Sequence, residues 1–321
     1  MHRPARFLTL VATLTLTASP AMAGYGLSPF NIAGAGGTSP DGINNAGVVV
    51  GSYVGADGVT RGFIGNGTSP GQYQDVVYGT NTDTEVYGIN NAGVSVGLTI
   101  DATGVGHGFT RDAAGVLSLL PDYSATATTF AVAINNSGVI AGIESEDNFN
   151  SASGLIYTPG QGYTKLDFAG ALYTIPRAVT DAGIVYGWIE TPTFDVHGFR
   201  YDPNAPLADR YLQIDVAGAL GTVIYGASLN GSLLAGTVFD NTGTGSHAFV
   251  MTGSGSQLFD YPGAGDTQGG GINDSGVFVG TYNQFAGGFI GTPASVPEPS
   301  SLVLTGLAGL ILVGYRMGRR A

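Results

Sequence analysis

The chain reads as an all-β protein, a six-bladed β-propeller made of four-stranded repeats of about 45 residues. Three observations predict this. The decamer "GINNAGVVVG" at 42–51 returns as "GINNAGVSVG" at 88–97, "AINNSGVIAG" at 133–142, "AVTDAGIVYG" at 178–187, "GASLNGSLLAG" at 226–236 and "GINDSGVFVG" at 271–280, with its closing glycines 46, 45, 45, 49 and 44 residues apart. Two further ladders keep the same period: Thr38, Thr84, Thr129, Thr174, Thr222 and Thr267, and then "RGFI", "HGFT", "SGLI", "HGFR", "HAFV" and "GGFI" from 61, 107, 153, 197, 247 and 287. Composition agrees, since 54 Gly, 15 Pro, 16 Tyr, 15 Phe and only 11% charged residues favour strands and turns over helices.

The first segment, "MHRPARFLTLVATLTLTASPAMAG", sets Arg3 and Arg6 before an apolar stretch and ends with Ala21 and Ala23 at A-x-A spacing. That is the pattern of a secretory signal peptide over 1–23, cleaved after Ala23 by signal peptidase. The repeat body follows at 24–293. Each unit divides into four strand-like runs, as in "YTKLDFA", "YTIPRAVT", "GIVYGWIE" and "HGFRYDP". Tight hairpins force antiparallel neighbours, which favours a meander per repeat over a parallel β-solenoid.

The decamer supplies the hairpin between the second and third of these runs. An asparagine at the first turn position bonds backbone two residues on, and a glycine at the fourth takes positive φ, which assigns turns to Asn44 and Gly47, Asn90 and Gly93, Asn135 and Gly138, and Asn273 and Gly276. Asp181 and Gly183 form a weaker version beginning at Thr180. In the fifth repeat, which has one extra residue before Gly236, Asn230 and Gly231 are expected to make a two-residue turn. A phosphate-cradling role is disfavoured because such a loop opens a helix, whereas "VVVGSYV" is strand. These strands are continuously apolar, so both faces are expected to be covered by neighbouring sheets, as closing six sheets into a ring would do.

The last segment, 294–321, carries Val296-Pro297-Glu298-Pro299, an uncharged run at about 300–315, and then Arg316, Arg319 and Arg320. At about 1.5 Å per residue the 16-residue run Ser300–Tyr315 spans about 24 Å, a short transmembrane helix. The arginines predict a cytoplasmic C-terminus and an exported body. Motif, apolar run and basic tail in this order resemble the PEP-CTERM sorting signal of Gram-negative bacteria. The resemblance implies an inner-membrane-anchored precursor, cleavage near the motif by an exosortase, and delivery to the cell surface or extracellular matrix of exopolysaccharide-producing bacteria. His247-Ala248-Phe249, downstream of the G-I-N-x-x-G-x-x-x-G pattern, is similar to the HAF-repeat family of bacterial extracellular proteins over roughly residues 28–292. Those motifs are turn and core residues and speak to fold.

Chemistry is sparse in the sequence. There is no cysteine, which excludes disulfides and thiolate catalysis. Without its two ends the body keeps six basic and 22 acidic residues, a net charge of about −16 that disfavours nucleic acid and anionic lipid. His107, His197 and His247 share one repeat position but are expected to point apart, so no metal is assigned. "ESED" at 144–147 reads as a solvated charge run, and Asp122, Asp167, Asp215 and Asp260 read as turn residues. Trp188 reads as core. No G-x-S-x-G, H-E-x-x-H or P-loop is present, and no catalytic residue, cofactor or metal site is expected. The expectation is a non-catalytic structural or binding component of an exopolysaccharide-rich envelope or biofilm matrix, with exopolysaccharide as its partner. The alternative is an extracellular polysaccharide lyase or hydrolase on the same scaffold.

Overall fold

The structure, a computed structural model, describes residues 24–66, 72–79, 83–124, 127–145, 151–240 and 245–294. Ala21, Ala23, Val296, Pro297, Glu298, Pro299, Arg316, Arg319 and Arg320 lie outside them, as do the signal peptide and the apolar run. Among the described residues no helix is long and apolar enough to cross a membrane.

Six antiparallel four-stranded sheets form the body. Blade 1 contains β2 (Gly37–Ile43), β3 (Val48–Val54), β4 (Thr60–Asn66) and β5 (Tyr73–Val76); blade 2 contains β6 (Thr84–Ile89), β7 (Ser95–Ile100), β8 (Gly106–Arg111) and β9 (Leu117–Leu119). Blade 3 is β10 (Thr128–Ile134), β11 (Ile140–Ser145), β12 (Ser153–Thr158) and β13 (Gly162–Leu166), and blade 4 is β14 (Tyr173–Val179), β15 (Val185–Glu190), β16 (Val196–Tyr201) and β17 (Tyr211–Ile214). Blade 5 is β18 (Gly221–Ala227), β19 (Leu234–Phe239), β20 (Ser246–Thr252) and β21 (Gly255–Phe259). Blade 6 takes β22 (Thr267–Ile272), β23 (Phe278–Tyr282) and β24 (Gly287–Pro293) from the end of the body and β1 (Tyr25–Phe30) from its beginning.

That last sheet closes the ring. β1 runs antiparallel to β24 from Tyr25 opposite Pro293 to Phe30 opposite Gly288, so the two ends of the body are hydrogen-bonded together. It also corrects the division of the repeat. The run "YTKLDFA" does not begin the fourth sheet; its strand, β13, is the outer edge of the third and pairs with β12. Each unit therefore donates its leading strand to the preceding blade, and β1 is the case where the preceding blade is the last. The first strands of neighbouring blades, β2, β6, β10, β14, β18 and β22, touch in a closed cycle around the axis.

The period-45 columns have physical causes. Each closing glycine of the decamer lies directly across from the apolar residue of the third ladder: Gly51 from Phe63, Gly97 from Phe109, Gly142 from Leu155, Gly187 from Phe199, Gly236 from Phe249 and Gly280 from Phe289. Those six large side chains are fully buried, each worth about 1.5–3 kcal/mol of transfer free energy. At Gly51 a Cβ would stand 2.9 Å from the Phe63 ring and closer still to the Ser39 carbonyl, so only glycine fits under the ring. The threonine column ties the blade crossovers. Each hydroxyl accepts the N–H of the residue six positions earlier, from Ile32 to Thr38 at 3.1 Å through Phe168 to Thr174 at 3.0 Å to Tyr261 to Thr267 at 2.9 Å. All six threonines are at most 3% exposed.

Blade-on-blade packing covers both faces of the second strands: every residue of β11 is buried, and so is all of β7 except Ile100. Trp188 on β15 packs, partly buried, against the cluster of Val132, Ile143, Ala152 and Ile175. The reading of "ESED" as a solvated run is corrected for its first two residues. Glu144 and Ser145 finish β11, and Glu144, only 5% exposed, holds the Lys165 ammonium at 3.0 Å.

Candidate binding site in the central channel

The turns of the decamer gather around the axis at one end of the ring. In the first, the side-chain oxygen of Asn44 accepts the N–H groups of Ala46 and Val48, both at 3.0 Å, and Gly47 has φ +77°. Asn90 with Gly93, Asn135 with Gly138 and Asn273 with Gly276 repeat this geometry. Thr180 stands in for the asparagine in blade 4, its hydroxyl accepting the N–H of Ile184 at 3.1 Å, and Gly183 has φ +78°. The two-residue turn expected at Asn230 and Gly231 is not formed. Ser228 takes the first position, Gly231 donates to the Ser228 carbonyl at 2.8 Å with φ +76°, and the extra residue widens the loop until Ser228 donates to Leu233.

The asparagines also join neighbouring blades. The Asn44 amide donates to the carbonyl of Asn90, Asn90 to Asn135, Asn135 to Thr180 and Asn273 to Asn44, at 2.9–3.1 Å. A second cycle runs through the next residue. Asn45 N–H donates to the Asn91 side chain, Asn91 to Asn136, Asn136 to Asp181, Asp181 to the Leu229 carbonyl, Asn230 to Asp274 and Asp274 to Asn45, at 2.8–3.0 Å. This second cycle is continuous around the axis.

The candidate site lies above these turns. Every innermost strand shifts register just before the decamer, and such a bulge re-aims the extra side chain. The re-aimed residues are Asp41, Tyr87, Val132, Arg177, Tyr225 and Gly270, and all six line the channel. Asp41, Tyr87, Val132, Arg177 and Tyr225 border the space on the turn side as well, so they form a waist between two vestibules. On the side away from the turns, a cavity of about 400 Å³ reaches from Asp41, Glu85, Tyr87 and Arg177 up to Tyr53 and Phe285.

Arg177 is the positive centre of this waist. Its guanidinium carbon lies 4.8 Å from the centre of the Tyr225 ring and 6.0 Å from that of Tyr87, within cation–π range. The other five basic residues of the body are hydrogen-bonded or paired: Arg61 to Asp57, Arg111 to Gln74, Lys165 to Glu144, Arg200 to Asp202 and Arg210 to the Ala205 carbonyl. Among the described residues Arg177 has no hydrogen-bond or ion-pair partner.

The acids beside it are held differently. Asp41 accepts the Ser39 hydroxyl at 3.2 Å; its carboxyl is pushed up to about 7, chiefly by desolvation, with Arg177 pulling it down and Glu85 pushing it up. Asp41 is partly exposed to the channel, but its carboxyl is set deep enough that desolvation outweighs the guanidinium. Glu85 accepts the Tyr87 hydroxyl at 2.7 Å, and burial followed by the Glu85 charge holds that phenol well above its ordinary range.

The cavity's outer wall is strained. Asn283, Gln284 and Phe285 have φ of +51°, +54° and +69°, a left-handed run costing non-glycine residues about 1–3 kcal/mol each. Asp266 fixes it by accepting the N–H groups of Asn283 and Gln284 at 3.2 and 3.1 Å. The run leaves Phe285 53% exposed at the channel mouth.

The histidines fall outside this site. His107 is held between Asp122 at 2.9 Å and Asp101 at 3.1 Å, His247 between Asp260 at 2.6 Å and Asp240 at 3.3 Å, and His197 against Asp215 at 3.1 Å. The aspartates read as turn residues thus serve as partners of the histidine column, except Asp167, which faces Lys165 at 3.9 Å. Each histidine pairs within its own blade. Among the described residues no three such side chains converge as a metal site would require.

Sequence reading missed the waist because its members share no motif. Their column, three residues ahead of the first turn position, holds Asp, Tyr, Val, Arg, Tyr and Gly, and that variation within a near-constant repeat is the signal.

Solved structures share the fold. The structure of a streptogramin B lyase superposes with a TM-score of 0.51 at 10% identity, over 84% of this chain and 98% of that one. TolB from Acinetobacter baumannii gives 0.51 at 13% identity, over 69% of this chain and 54% of its own. An arginine-to-alanine mutant of AofleA from Arthrobotrys oligospora gives 0.50 at 12% identity, over 81% and 84%. At these identities the likeness is one of fold alone. No protein-family model and no curated protein matches the chain.

Proposed function

We propose that the protein is an exported, surface-sorted binding component of an exopolysaccharide-rich envelope or matrix, and that its site is the central channel. One observation carries the binding reading: aromatic, cationic and carboxyl side chains of four blades, Asp41, Tyr87, Arg177 and Tyr225, converge at one level of the channel. Aromatic faces beside a few convergent polar groups are the usual furniture of a small-ligand site. The export reading is supported by Arg3, Arg6, Ala21 and Ala23 at one end and by Val296 to Pro299 with Arg316, Arg319 and Arg320 at the other, the segments that signal peptidase and an exosortase would process.

A second reading, an enzyme acting on extracellular polysaccharide, draws on Asp41, whose carboxyl near 7 suits a general base at neutral pH. One experiment addresses both. Purified body, residues 24–295, is screened on a glycan array and the bound glycans are then incubated and sized. Retention of intact chains supports the binding reading, shortened chains support the enzyme, and no binding to any glycan refutes both.

A further inference from the structure

We infer that the channel recognises the carboxylate of an acidic sugar, a uronate at a chain end or free, through the unpaired guanidinium of Arg177. This deepens the polysaccharide reading and rests on it.

The body is acidic throughout, and its few cations are spent on internal partners. Arg177 alone is withheld: its guanidinium carbon lies 4.8 and 6.0 Å from the centres of two tyrosine rings, and among the described residues its N–H groups have no acceptor. A planar fork of donors matches a carboxylate in bidentate fashion. The lining supplies the rest of a sugar site: the aromatic side chains of Phe285 and Tyr53 border it towards the mouth, and Ser39, Asp41 and Glu85 are placed to bond sugar hydroxyls. The geometry also selects an end over a passing chain. A cavity of about 400 Å³ is near the small limit of ligand sites and has room for one or two sugar rings. Beyond it the space falls to about 80 Å³ between the waist residues and to about 60 Å³ on the turn side, too small for a further sugar ring.

The neighbouring charges add a pH signature. Asp41 faces Arg177 from β14 and Glu85 and Tyr87 from β6, while β10, β18 and β22 bring Val132, Tyr225 and Gly270. A bound carboxylate adds negative charge beside Asp41 and Glu85, so it is accepted more readily once Asp41 takes up a proton. Affinity therefore rises as pH falls from about 8 to about 6.

The test is calorimetric titration of the full chain in mild detergent with glucuronate, an oligouronate, glucose, a neutral oligosaccharide and acetate. Uronates should bind at least about tenfold tighter than their neutral counterparts. Arg177→Gln should remove that preference with the circular dichroism spectrum unchanged, and Arg177→Lys, charged but without the fork, should fall between. Asp41→Asn should flatten the pH dependence and Phe285→Ala should weaken the oligouronate more than the monomer, two readouts that stand if the Arg177 variants fail to fold. Neutral and acidic sugars binding equally would overturn the carboxylate assignment and leave polysaccharide binding intact. Acetate binding as tightly as uronate would overturn the saccharide assignment. No saturable binding of any sugar would overturn both this inference and the reading beneath it.

Discussion

Changing Asn90 to Asp separates the two tasks of the turn asparagine. The native oxygen accepts two N–H groups, from Ala92 and Val94, and an aspartate oxygen would keep both. The native nitrogen donates to the Asn135 carbonyl at 3.1 Å, and in the variant a second oxygen would face that carbonyl at a site 3% exposed. Ionised, the carboxylate repels the carbonyl; protonated, it restores the bond but must hold its proton. Holding a proton at pH 7 against an ordinary carboxyl value of about 3.9 costs about 4 kcal/mol, an upper limit, because the two N–H donors favour the charged form. The floor is the loss of one interblade hydrogen bond, about 1 kcal/mol. A loss of about 2–4 kcal/mol at pH 7 is expected.

The sign with pH follows from the same argument. The folded value of the new carboxyl lies above its unfolded value, so the penalty is full above the folded value and fades as pH falls towards the unfolded one. The loss should therefore shrink between pH 7 and pH 5.5, by at most about 2 kcal/mol over that interval. Asn91→Asp is the control. That residue is exposed, only its oxygen is used by the preceding blade, and Asp181 and Asp274 already occupy the equivalent place in the same cycle. It should change stability by less than about 0.5 kcal/mol. Urea denaturation of both variants at the two pH values decides the matter. Equal losses, or an Asn90→Asp loss that ignores pH, would refute the claim that the amide joins the blades.

Gly93→Val should cost about 1–3 kcal/mol and exceed Ala92→Val in denaturant melts, because Gly93 has φ +79° and Ala92 is an exposed turn residue. Thr222→Val removes the hydroxyl that accepts the buried Val216 N–H at 3.0 Å, and a loss of about 1–3 kcal/mol is expected by the same assay. His247 is raised above its ordinary value, first by its bond to Asp260 and then by Asp240, so its contribution is present below about pH 6.5 and is lost as pH rises through the folded value. His247→Gln should therefore lower Tm more at about pH 5.5 than at about pH 8.5. Intact-mass spectrometry of the cell-surface fraction should find a mature chain beginning at Gly24 and ending close to Pro299; a mass extending to Ala321 would make the C-terminus a permanent anchor.

What could be read from sequence was whatever every repeat needs. Six copies of a four-stranded unit imply a ring, and strands apolar on both faces, such as "VVVGSYV", imply sheets stacked against sheets. Two kinds of information were hidden. One was partnership at a distance: Gly51 gives no hint that it lies beneath Phe63, nor Asn90 that its nitrogen reaches the next blade, because local turn chemistry accounts for both residue types. The other was phase. A unit written with its outer strand first looks the same as one written with it last, and only the pairing of β1 with β24 shows which sheet that strand joins.

The waist was hidden for the opposite reason, and the difference explains where a repeat protein can place a function. The threonine and glycine columns each make a bond or contact that recurs at every blade, and the phenylalanine and asparagine columns make one that recurs at most of them, so a change in such a copy costs stability. A bulge side chain aimed at the axis makes no such recurring bond. It is free to differ, and the ring sets the differing residues across from one another: blade 1 with blade 4, Asp41 facing Arg177, and blade 2 with blade 5, Tyr87 facing Tyr225. The third pair, Val132 and Gly270, carries little bulk and no charge. Six similar blades thus yield one channel lining with no rotational symmetry, so the orientations of an asymmetric molecule placed there would not be equivalent.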